Sequence, residues 1–384
     1  MPSSRFRLRI ALAGLLVPAL CTAQAARTFA TDSLWRRVFS IGAEKESETF
    51  VEPRQIVVTS GLVAVLDLGT REVRGFDART GRPRFVLKAT GNGPGEFKRP
   101  SLLLPTPWGF AVVDQSTARL TGYRATGSMH WDIILPDLFR VSHACVRPDG
   151  RILVAYERSD SALVVLDTAG RRVSTFNADW RPARHATESF AHRAFLSAAD
   201  GSGACALVRF FGADWALVRP DTRAVAMHPL IERGPEPVVK VVERVRERTL
   251  TQVIIEAPQT SESRPIARGI AIRGDTVLIF GSETARDAFR LVDYYDRLSG
   301  RYLYSRRLPL VLHAVTVGDD GTFYGTVIAE NTQALVAFRP ERLTKDLQRE
   351  LDRARAPTPS VTPPTRDTVA RRAPPASGRP RGRP

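Results

Sequence analysis

The feature of this chain that most constrains its fold is an internal repeat. The stretch GLVAVLDLGTREVRGFDARTGRPRFVL (61–87) aligns with GFAVVDQSTARLTGYRATGSMHWDIIL (109–135), so that Asp67 matches Asp114 at an offset of 47 residues. Weaker copies begin at residues 150, 203, 274 and 321. Repeats of this length indicate an array of similar supersecondary units rather than one irregular core.

Each copy reads as short strands separated by turns that contain Gly, Asp or Pro. A further short run precedes each copy, and these runs are RQIVVTS, PSLLLPT, HACVRP, RAFLSA, GIAIR and HAVTV. Four strands in each repeat of about 40–50 residues predict an all-β, six-bladed β-propeller of four-stranded blades. The sixth copy lacks its final strand, and we expect residues 34–41 (LWRRVFSI) to supply it and close the ring.

Residues 1–25 have the pattern of a secretory signal peptide. A start with three arginines leads into an apolar run over residues 10–20, and Ala23 and Ala25 fit the A-x-A cleavage pattern. The apolar run is shorter than the ~20 residues that a membrane span needs. We therefore predict a periplasmic or secreted protein. The alternative is a lipid anchor at Cys21, although Leu20 stands where a lipobox has a small residue.

The rest of the chain divides into a propeller over residues 26–355 and a tail over residues 356–384. Between the fourth and fifth copies, residues 231–267 form an enlarged connection, in which valines at 238, 241, 242 and 245 recur at helical spacing and are followed by the strand-like run TQVII. This connection either packs on the rim or acts as a lid or partner-binding element. Leucines at 343, 347 and 351 predict a short helix over residues 340–355. The tail is rich in Pro and Arg, so we expect it to be disordered.

Cys145 and Cys205 leave two alternatives open. In an oxidising compartment they can form a disulfide, but two buried free thiols are also common. The net charge of +16 comes largely from arginine. Such a charge reflects either a compositional bias or attraction to anionic partners. Export argues against a nucleic-acid partner, and we expect a monomer.

The stretch GNGPGEFKRPSLLLPTPWGFAVVDQSTARLTGYRATG (91–127) resembles an NHL-type repeat. From residue 50 onward, the chain also resembles the exported six-bladed β-propeller proteins of environmental and gut bacteria. The resemblance is good over residues 50–135 and faint over 136–340, where the period continues. It implies a six-bladed propeller, but that fold hosts amidating lyases, lactonases and binding modules, so it leaves the activity open.

The loop GNGPGEFKRP (91–100) does not fit a phosphate-binding turn. Such turns read G-x-G-x-x-G or G-x-x-x-x-G-K-[ST] and lead into a helix, whereas this loop has glycines at 91, 93 and 95 and leads into a strand. We interpret it as the crossover between the first two blades. In this interpretation Phe97 packs between the blades and Arg99 reaches the channel mouth.

A basic residue stands close to the start of the first strand in every blade. These residues are Arg54, Arg99, His143, His192 (with Arg193), Arg268 and His313. The histidines at 143, 192 and 313 are candidate ligands for a divalent metal, zinc or calcium, because three histidines and a water form a catalytic zinc site. The amidating lyases of this fold hold a channel metal by histidines on alternating blades, a pattern that this chain does not follow. The arginines favour a carboxylate or phosphate ligand instead.

We therefore predict an exported binding module that recognises a protein, peptide or glycan at the channel face. The arginines favour an anionic ligand among these. The alternative is a metal-dependent lyase or hydrolase with a site at the channel mouth. The sequence contains neither G-x-S-x-G nor H-E-x-x-H. Asp67 and Asp114 recur at matching positions, so we interpret them as repeat structure rather than as an acid–base pair. We assign no catalytic residue and no cofactor.

Overall fold

The computed structural model describes residues 27–30, 35–42, 50–88, 91–135, 141–156, 163–176, 194–210, 214–221, 225–232, 240–246, 250–256, 266–281, 290–329 and 332–340. Within them the chain is all-β, and six antiparallel sheets of four strands form the blades of a propeller. The predicted fold is confirmed. The predicted signal peptide (1–25), Cys21, His192 and the tail (356–384) lie outside the described residues.

Strand β1 (Trp35–Ile41) precedes blade 1 in the chain. Blade 1 contains β2 (Pro53–Thr59), β3 (Leu62–Asp67), β4 (Glu72–Asp77) and β5 (Pro83–Lys88). Blade 2 contains β6 (Pro100–Thr106), β7 (Gly109–Asp114), β8 (Arg119–Arg124) and β9 (Met129–Ile134). Blade 3 contains β10 (Val141–Val146), β11 (Ile152–Tyr156), β12 (Leu163–Leu166) and β13 (Arg172–Phe176). In all three, the strands follow one another from the channel outward.

The second half of the ring repeats this order. Blade 4 contains β14 (Ala194–Leu196), β15 (Cys205–Arg209), β16 (Asp214–Val218) and β17 (Met227–Pro229). A separate hairpin of β18 (Lys240–Arg246) and β19 (Leu250–Glu256) follows. Blade 5 contains β20 (Ala267–Arg273), β21 (Thr276–Gly281), β22 (Leu291–Asp296) and β23 (Tyr302–Arg307). Blade 6 contains β24 (Ala314–Val317), β25 (Phe323–Ala329) and β26 (Thr332–Pro340).

Strand β1 completes blade 6 and closes the ring, as the sequence predicts. It pairs antiparallel with β26, in a register that runs from Trp35 opposite Pro340 to Ile41 opposite Leu335. Blade 6 therefore combines a strand that precedes the other five blades in the sequence with three strands that follow them. The last strand of the repeat array, β26, is not left as an open edge. Pro340, the first residue of the predicted helix, is the last residue of β26, and residues 341–355 lie outside the described part.

Burial follows the position of each strand in its blade. Every residue of β3, β7 and β11 is buried, because each of these second strands lies between two neighbouring blades. Outer strands face solvent, and four of the five residues of β13 are exposed. Unbroken apolar runs in the sequence therefore correspond to second strands, whose two faces both pack on apolar neighbours.

A disulfide joins blades 3 and 4. Cys145 of β10 and Cys205 of β15 are bonded, with their Cα atoms 6.4 Å apart, and both side chains are fully buried. They lie in an apolar cluster that also contains Leu153 of blade 3 and Leu207 of blade 4. Of the two alternatives left open by the sequence, the structure shows the disulfide.

Three of the four valines at helical spacing in the 231–267 connection, at 241, 242 and 245, lie on strand β18, so the helical spacing is misleading; Val238 lies outside the described residues. In the β18–β19 hairpin, Lys240 stands opposite Glu256 and Arg246 opposite Leu250. Valine, isoleucine and threonine are branched at Cβ, which favours extended backbone over helix. The run TQVII supplies a second strand of matching length only a few residues later. A nearby run of β-branched residues that can pair as a second strand is therefore stronger evidence for a hairpin than a 3–4 spacing of valines is for a helix.

The loop over residues 91–99 crosses from β5 to β6, as predicted. Phe97 is only 2% exposed and packs in one cluster with Leu66 of blade 1 and Leu103 of blade 2. The Tyr123 hydroxyl donates to the carbonyl of Gly95 at 3.0 Å. Gly95 has a φ of +76°, a conformation that favours glycine. The loop is thus a plug between two blades.

Asp67 and Asp114 have the same structural role in blades 1 and 2. Each carboxylate, at the end of a second strand, accepts hydrogen bonds from two successive backbone N–H groups of the incoming crossover, Val51 and Glu52 or Lys98 and Arg99. Burial opposes ionisation of Asp114, but these hydrogen bonds and those of Ser116 outweigh it and lower its pKa. The interpretation of the pair as repeat structure is confirmed.

Residues 27–30 attach to the outer edge of blade 5. The Arg27 guanidinium donates to both carboxylate oxygens of Asp293, at 3.1 and 2.9 Å, and to Glu232 at 2.9 Å. These side chains are 5%, 7% and 17% exposed. Ala30 donates its N–H to the carbonyl of Ser305 at 3.0 Å. The chain segment ahead of β1 is therefore held by a buried ion cluster as well as by backbone pairing.

Candidate functional site

The first strands of the blades surround one continuous central cavity of about 1020 Å³. They follow one another around the ring in the order β2, β6, β10, β14, β20 and β24. We call the end at which these strands begin the entrance mouth, and the end at which they finish the exit mouth. Side chains close to the two ends of the first strands differ in chemistry between the mouths.

Four of the six first strands begin with a register shift. The shift leaves one residue bulged out of the ladder, and this residue is Arg54 in β2, Ser101 in β6, Ser142 in β10 and Arg268 in β20. His313 has the corresponding place just before β24, where its N–H donates to the carbonyl of Thr326 at 2.8 Å. A bulge re-aims a side chain at the end of a strand, and all five of these residues line the cavity.

Arg54, His313 and Arg268 form a basic cluster at the entrance mouth, on the consecutive blades 1, 6 and 5. Arg54 Nη1 lies 2.9 Å from Nε2 of His313. The Arg54 guanidinium also donates from Nε to Glu52 at 2.6 Å, and both of these side chains are about two-fifths exposed. The cluster is therefore a contact network that spans two neighbouring blades and reaches a third.

Electrostatics in the basic cluster disfavour positive charge. Burial, and then the charge of Arg54, lowers the pKa of Arg268 to about 10. Burial also lowers the pKa of His313, and the charges of Arg54 and Arg268 lower it further, while Glu52 opposes them. The His313 ring is therefore neutral at pH 7, and its Nε2 can accept a hydrogen bond from Arg54. An added negative charge would relieve the repulsion within the cluster.

The opposite side of the entrance mouth is aromatic. His143 of blade 3 and Phe195 of blade 4 meet edge to face, with ring centroids 5.9 Å apart. Phe195 also meets Phe210 at 5.8 Å. All three line the cavity. Blades 3 and 4 stand across the ring from blades 6 and 1, so this aromatic wall faces the basic cluster.

The exit mouth presents charges that are paired with one another. Arg297 of blade 5 forms an ion pair with Asp200 of blade 4. Arg273 Nε donates to the carbonyl of Asp319 at 3.4 Å. These contacts tie neighbouring blades together. At the entrance mouth, Glu52 pairs with Arg54, while Arg268 and His313 lie close to the same charges.

The structure brings four of the six predicted site residues to the cavity. Arg54, His143, Arg268 and His313 line it, and His192 lies outside the described residues. Arg99 is exposed and is not among the lining residues. The register pairs Pro100 with Asp114 just as it pairs Pro53 with Asp67, so Ser101, not Arg99, corresponds to Arg54. The predicted alignment was two residues out of step in blade 2.

The candidate histidine ligands do not all meet in the described part of the chain. His143 belongs to blade 3 and His313 to blade 6, on opposite sides of the ring. Among the described residues, no group of three or more His, Cys, Asp or Glu side chains is placed to hold a metal ion. The metal site involving His192 stays a prediction.

Sequence reasoning missed Phe195, Phe210 and the two serines of the entrance mouth. Ser101 had a usable signal, because the offset of 47 that relates Asp67 to Asp114 also carries Arg54 to Ser101. The aromatic wall had none. Phe195 occupies the place of His143 one position after the bulge, as shown by the partners Val208 and Ala155 on the second strands.

Comparison with solved structures shows the fold. One similar structure is that of an exported protein, so named, from Bacteroides fragilis NCTC 9343, which is 12% identical, with 81% of this chain and 97% of that chain covered and a TM-score of 0.50. Another is a member of the DUF4221 family from Bacteroides vulgatus ATCC 8482, 9% identical, with 82% and 98% covered and a TM-score of 0.51.

No family model matches this sequence, and no curated protein matches it. The propeller is therefore established by structure, whereas the NHL type of its repeats stays a prediction. In the described part of the chain, no helix has the length and apolar character needed to cross a membrane.

Proposed function

We propose that this protein is an exported binding module that recognises an anionic group of a protein, peptide or glycan at the entrance mouth. The observation that carries the proposal is the basic cluster of Arg54, Arg268 and His313, which converges on the cavity from three consecutive blades. Guanidinium groups offer planar pairs of donors that match carboxylate, phosphate or sulfate oxygens, and an anion bound here would share Arg54 with Glu52 or displace that carboxylate.

Electrostatics and geometry agree in this proposal. The lowered pKa of Arg268 reports that its surroundings disfavour its positive charge, and an anion nearby would reverse that. The neutral His313 ring can carry its proton on either nitrogen, so it can donate a hydrogen bond to an anion or accept one from Arg54. The cluster also lies at a mouth of the channel, where a large ligand can approach without passing through the ring.

Two features support export. The Cys145–Cys205 disulfide fits an oxidising compartment, because disulfides rarely persist in the cytosol. One of the two similar structures carries the name of an exported protein. Together with the signal-peptide pattern of residues 1–25, these features favour a periplasmic or secreted protein.

The test compares two variants with the same change in net charge. Arg54→Gln with Arg268→Gln removes both arginines of the basic cluster, whereas Arg99→Gln with Arg172→Gln removes two exposed arginines elsewhere. A glutamate-rich peptide and polygalacturonate serve as carboxylate probes, and a sulfated glycan serves as a sulfate probe. We expect the cluster variant to lose at least about tenfold in affinity for one of these probes, since a charged hydrogen-bonded pair contributes that much or more.

The control variant should keep the affinity of the unaltered protein. Equal weakening in the two double variants would mean that net charge alone attracts anions, and the proposal would then be wrong. Circular dichroism and thermal unfolding of all three proteins establish that the ring is intact in each.

A further inference from the structure

The entrance mouth has the basic cluster on one side and the aromatic wall on the other. The two serines of this mouth add few hydrogen-bond donors for a ligand. Ser101 Oγ donates to the carbonyl of Val113 at 3.2 Å, and Ser142 Oγ donates to the carbonyl of Ala155 at 3.0 Å. Both hydroxyl donors are therefore used within their own sheets. A ligand at this mouth meets strong donors on the basic side and ring surfaces on the aromatic side.

The side-chain amide of Gln55 is also hydrogen-bonded within the protein. Its Nε2 donates to the carbonyl of Ser101 at 3.3 Å, and its Oε1 accepts the N–H of Leu103. This side chain therefore bridges blades 1 and 2 and has little left to offer a ligand. A hydroxyl-rich glycan that entered the channel would leave many of its polar groups without partners, which is costly.

Beyond the mouth the channel wall is mixed. Ile56, Leu103, Leu196, Ile270 and Val315, from five different blades, line it, but the first four of these side chains are less than 10% exposed and pack between the blades. Polar residues near the exit mouth line the same cavity, whose volume of about 1020 Å³ lies at the upper end of the ~300–1,000 Å³ typical of small-molecule sites. An apolar group of a ligand therefore finds its partners at the aromatic wall, where Phe195 and Phe210 are only partly buried.

We propose that the ligand is a carboxylate at the end of an apolar group. The carboxylate binds at Arg54 and Arg268, and the apolar group packs on Phe195 and Phe210. This inference rests on the proposed function and narrows it, because it states that an anion with an apolar part binds more tightly than one without. Two sources share this chemistry, namely a free aliphatic or aromatic acid and the C-terminal carboxylate of a peptide that ends in an apolar residue.

The first experiment uses the unaltered protein and a series of probes. Acetate, butyrate, hexanoate and 4-phenylbutyrate are titrated by calorimetry, with 4-phenylbutyramide as the uncharged match of the last acid. We expect affinity to rise along the series by up to about fourfold per methylene group, and the amide to bind at least tenfold more weakly than its acid. Equal binding of acetate and 4-phenylbutyrate would overturn the inference.

The second experiment assigns the two walls. Arg268→Gln should weaken 4-phenylbutyrate at least tenfold, while Arg99→Gln should leave it unchanged. Phe195→Leu, which keeps an apolar side chain and protects the fold, should weaken 4-phenylbutyrate about threefold or more and leave sulfate binding as it was. If Phe195→Leu weakens both ligands equally, the aromatic wall does not receive the apolar group and the inference is wrong.

A peptide ending in alanine–phenylalanine, prepared as acid and as amide, separates the two sources. Binding of the peptide acid and its competition with 4-phenylbutyrate support a shared site for free acids and chain ends, whereas exclusion of the peptide acid assigns the site to free acids. The outcome for the proposed function is distinguishable. If acidic probes still require Arg54 and Arg268 but chain length has no effect, only the narrower inference falls; if no anion requires them, both fall.

Discussion

Removal of the Cys145–Cys205 disulfide should lower the free energy of unfolding substantially. The bond closes a loop with a sequence separation of 60 residues. In the chain-entropy model a loop of that length is worth about 4 kcal/mol at 25 °C, since the unfolded chain regains the freedom that the cross-link denied it. With ~2.1 cal/mol/K of unfolding entropy per residue over the roughly 240 residues that the structure describes, this corresponds to a fall in Tm of about 8 °C.

The comparison must separate the cross-link from the packing of the sulfur atoms. Both cysteines are fully buried in the cluster between blades 3 and 4, so Cys145→Ala with Cys205→Ala also removes apolar contacts. The reduced, unaltered protein keeps the sulfur atoms and loses only the bond. Because reductant cannot reach a fully buried disulfide in the folded ring, reduction requires transient unfolding in denaturant, followed by refolding with reductant present.

Urea unfolding of the oxidised protein, the reduced protein and the double variant measures the three free energies. We expect the reduced protein to lie about 4 kcal/mol below the oxidised one, and the double variant at or below the reduced one. Alkylation in denaturant without reductant should modify neither cysteine of the purified mature protein. Equal stability with and without reductant, together with two alkylated cysteines, would refute the disulfide and the reasoning from it.

Three further predictions concern the N-terminal segment, the crossover loop and the basic cluster. Arg27→Ala should lower the free energy of unfolding in urea by about 3–5 kcal/mol, because it leaves the buried carboxylate of Asp293 without its cation. Replacement of the exposed Arg37 by alanine should lower it by under about 0.5 kcal/mol. Equal losses in the two variants would contradict the ion cluster. Phe97→Ala should cost about 3–5 kcal/mol by the same measurement, since the side chain fills the space between blades 1 and 2; a cost under 1 kcal/mol would mean that the loop does not plug them. Sulfate, which does not titrate here, should bind more tightly as pH falls from 7.5 to 5.5, because the bound anion raises the lowered pKa of His313 and the complex takes up a proton; the pH dependence should flatten in His313→Gln, and an unchanged slope would assign it to another group.

Without a ligand, His313 has the opposite effect as pH falls: it lowers the free energy of unfolding instead of strengthening binding. The pKa of His313 is lowered in the folded state, so below about pH 6.5 the unfolded chain binds more protons than the folded ring. Its contribution to stability is therefore present at pH 7 and is lost as pH falls. Arg54, Arg268 and Glu52 are the charged groups that act on it, and binding of an anion beside them offsets this loss.

Regular strands could be predicted from the sequence because they depend on patterns of two or more residues. The buried run LVAVLD and its copy GFAVVD identify β3 and β7, and the incomplete sixth copy correctly indicates that β1 closes the ring. The hairpin of β18 and β19 was missed because a 3–4 spacing of valines has no meaning when the run is short and rich in β-branched residues. The partner strand, and not the spacing, decides such cases.

The candidate site was harder to predict because it depends on single residues. A bulge shifts one side chain by one position, and in blade 2 the signal for the bulged residue is the 47-residue offset that carries Arg54 to Ser101, not the residue type. A search for basic residues therefore selected Arg99, whose backbone N–H binds Asp114 and whose side chain is exposed. His143 lies in the cavity, but from one position after the bulge, so it belongs to the aromatic wall and not to the basic cluster.

Function in this ring is expected where equivalent positions differ between blades. Buried positions repeat, as Asp67 and Asp114 or Phe76 and Tyr123 do, because every blade must solve the same packing problem. The bulge position is Arg54, Ser101, Ser142 and Arg268 in four blades, and His313 has the corresponding place just before β24. Packing does not require this variation, since each residue leaves the ladder and points to the channel. The variation places arginine or histidine on three consecutive blades and serine on blades 2 and 3, and this asymmetry would give a ligand one orientation in a ring whose backbone is nearly symmetric.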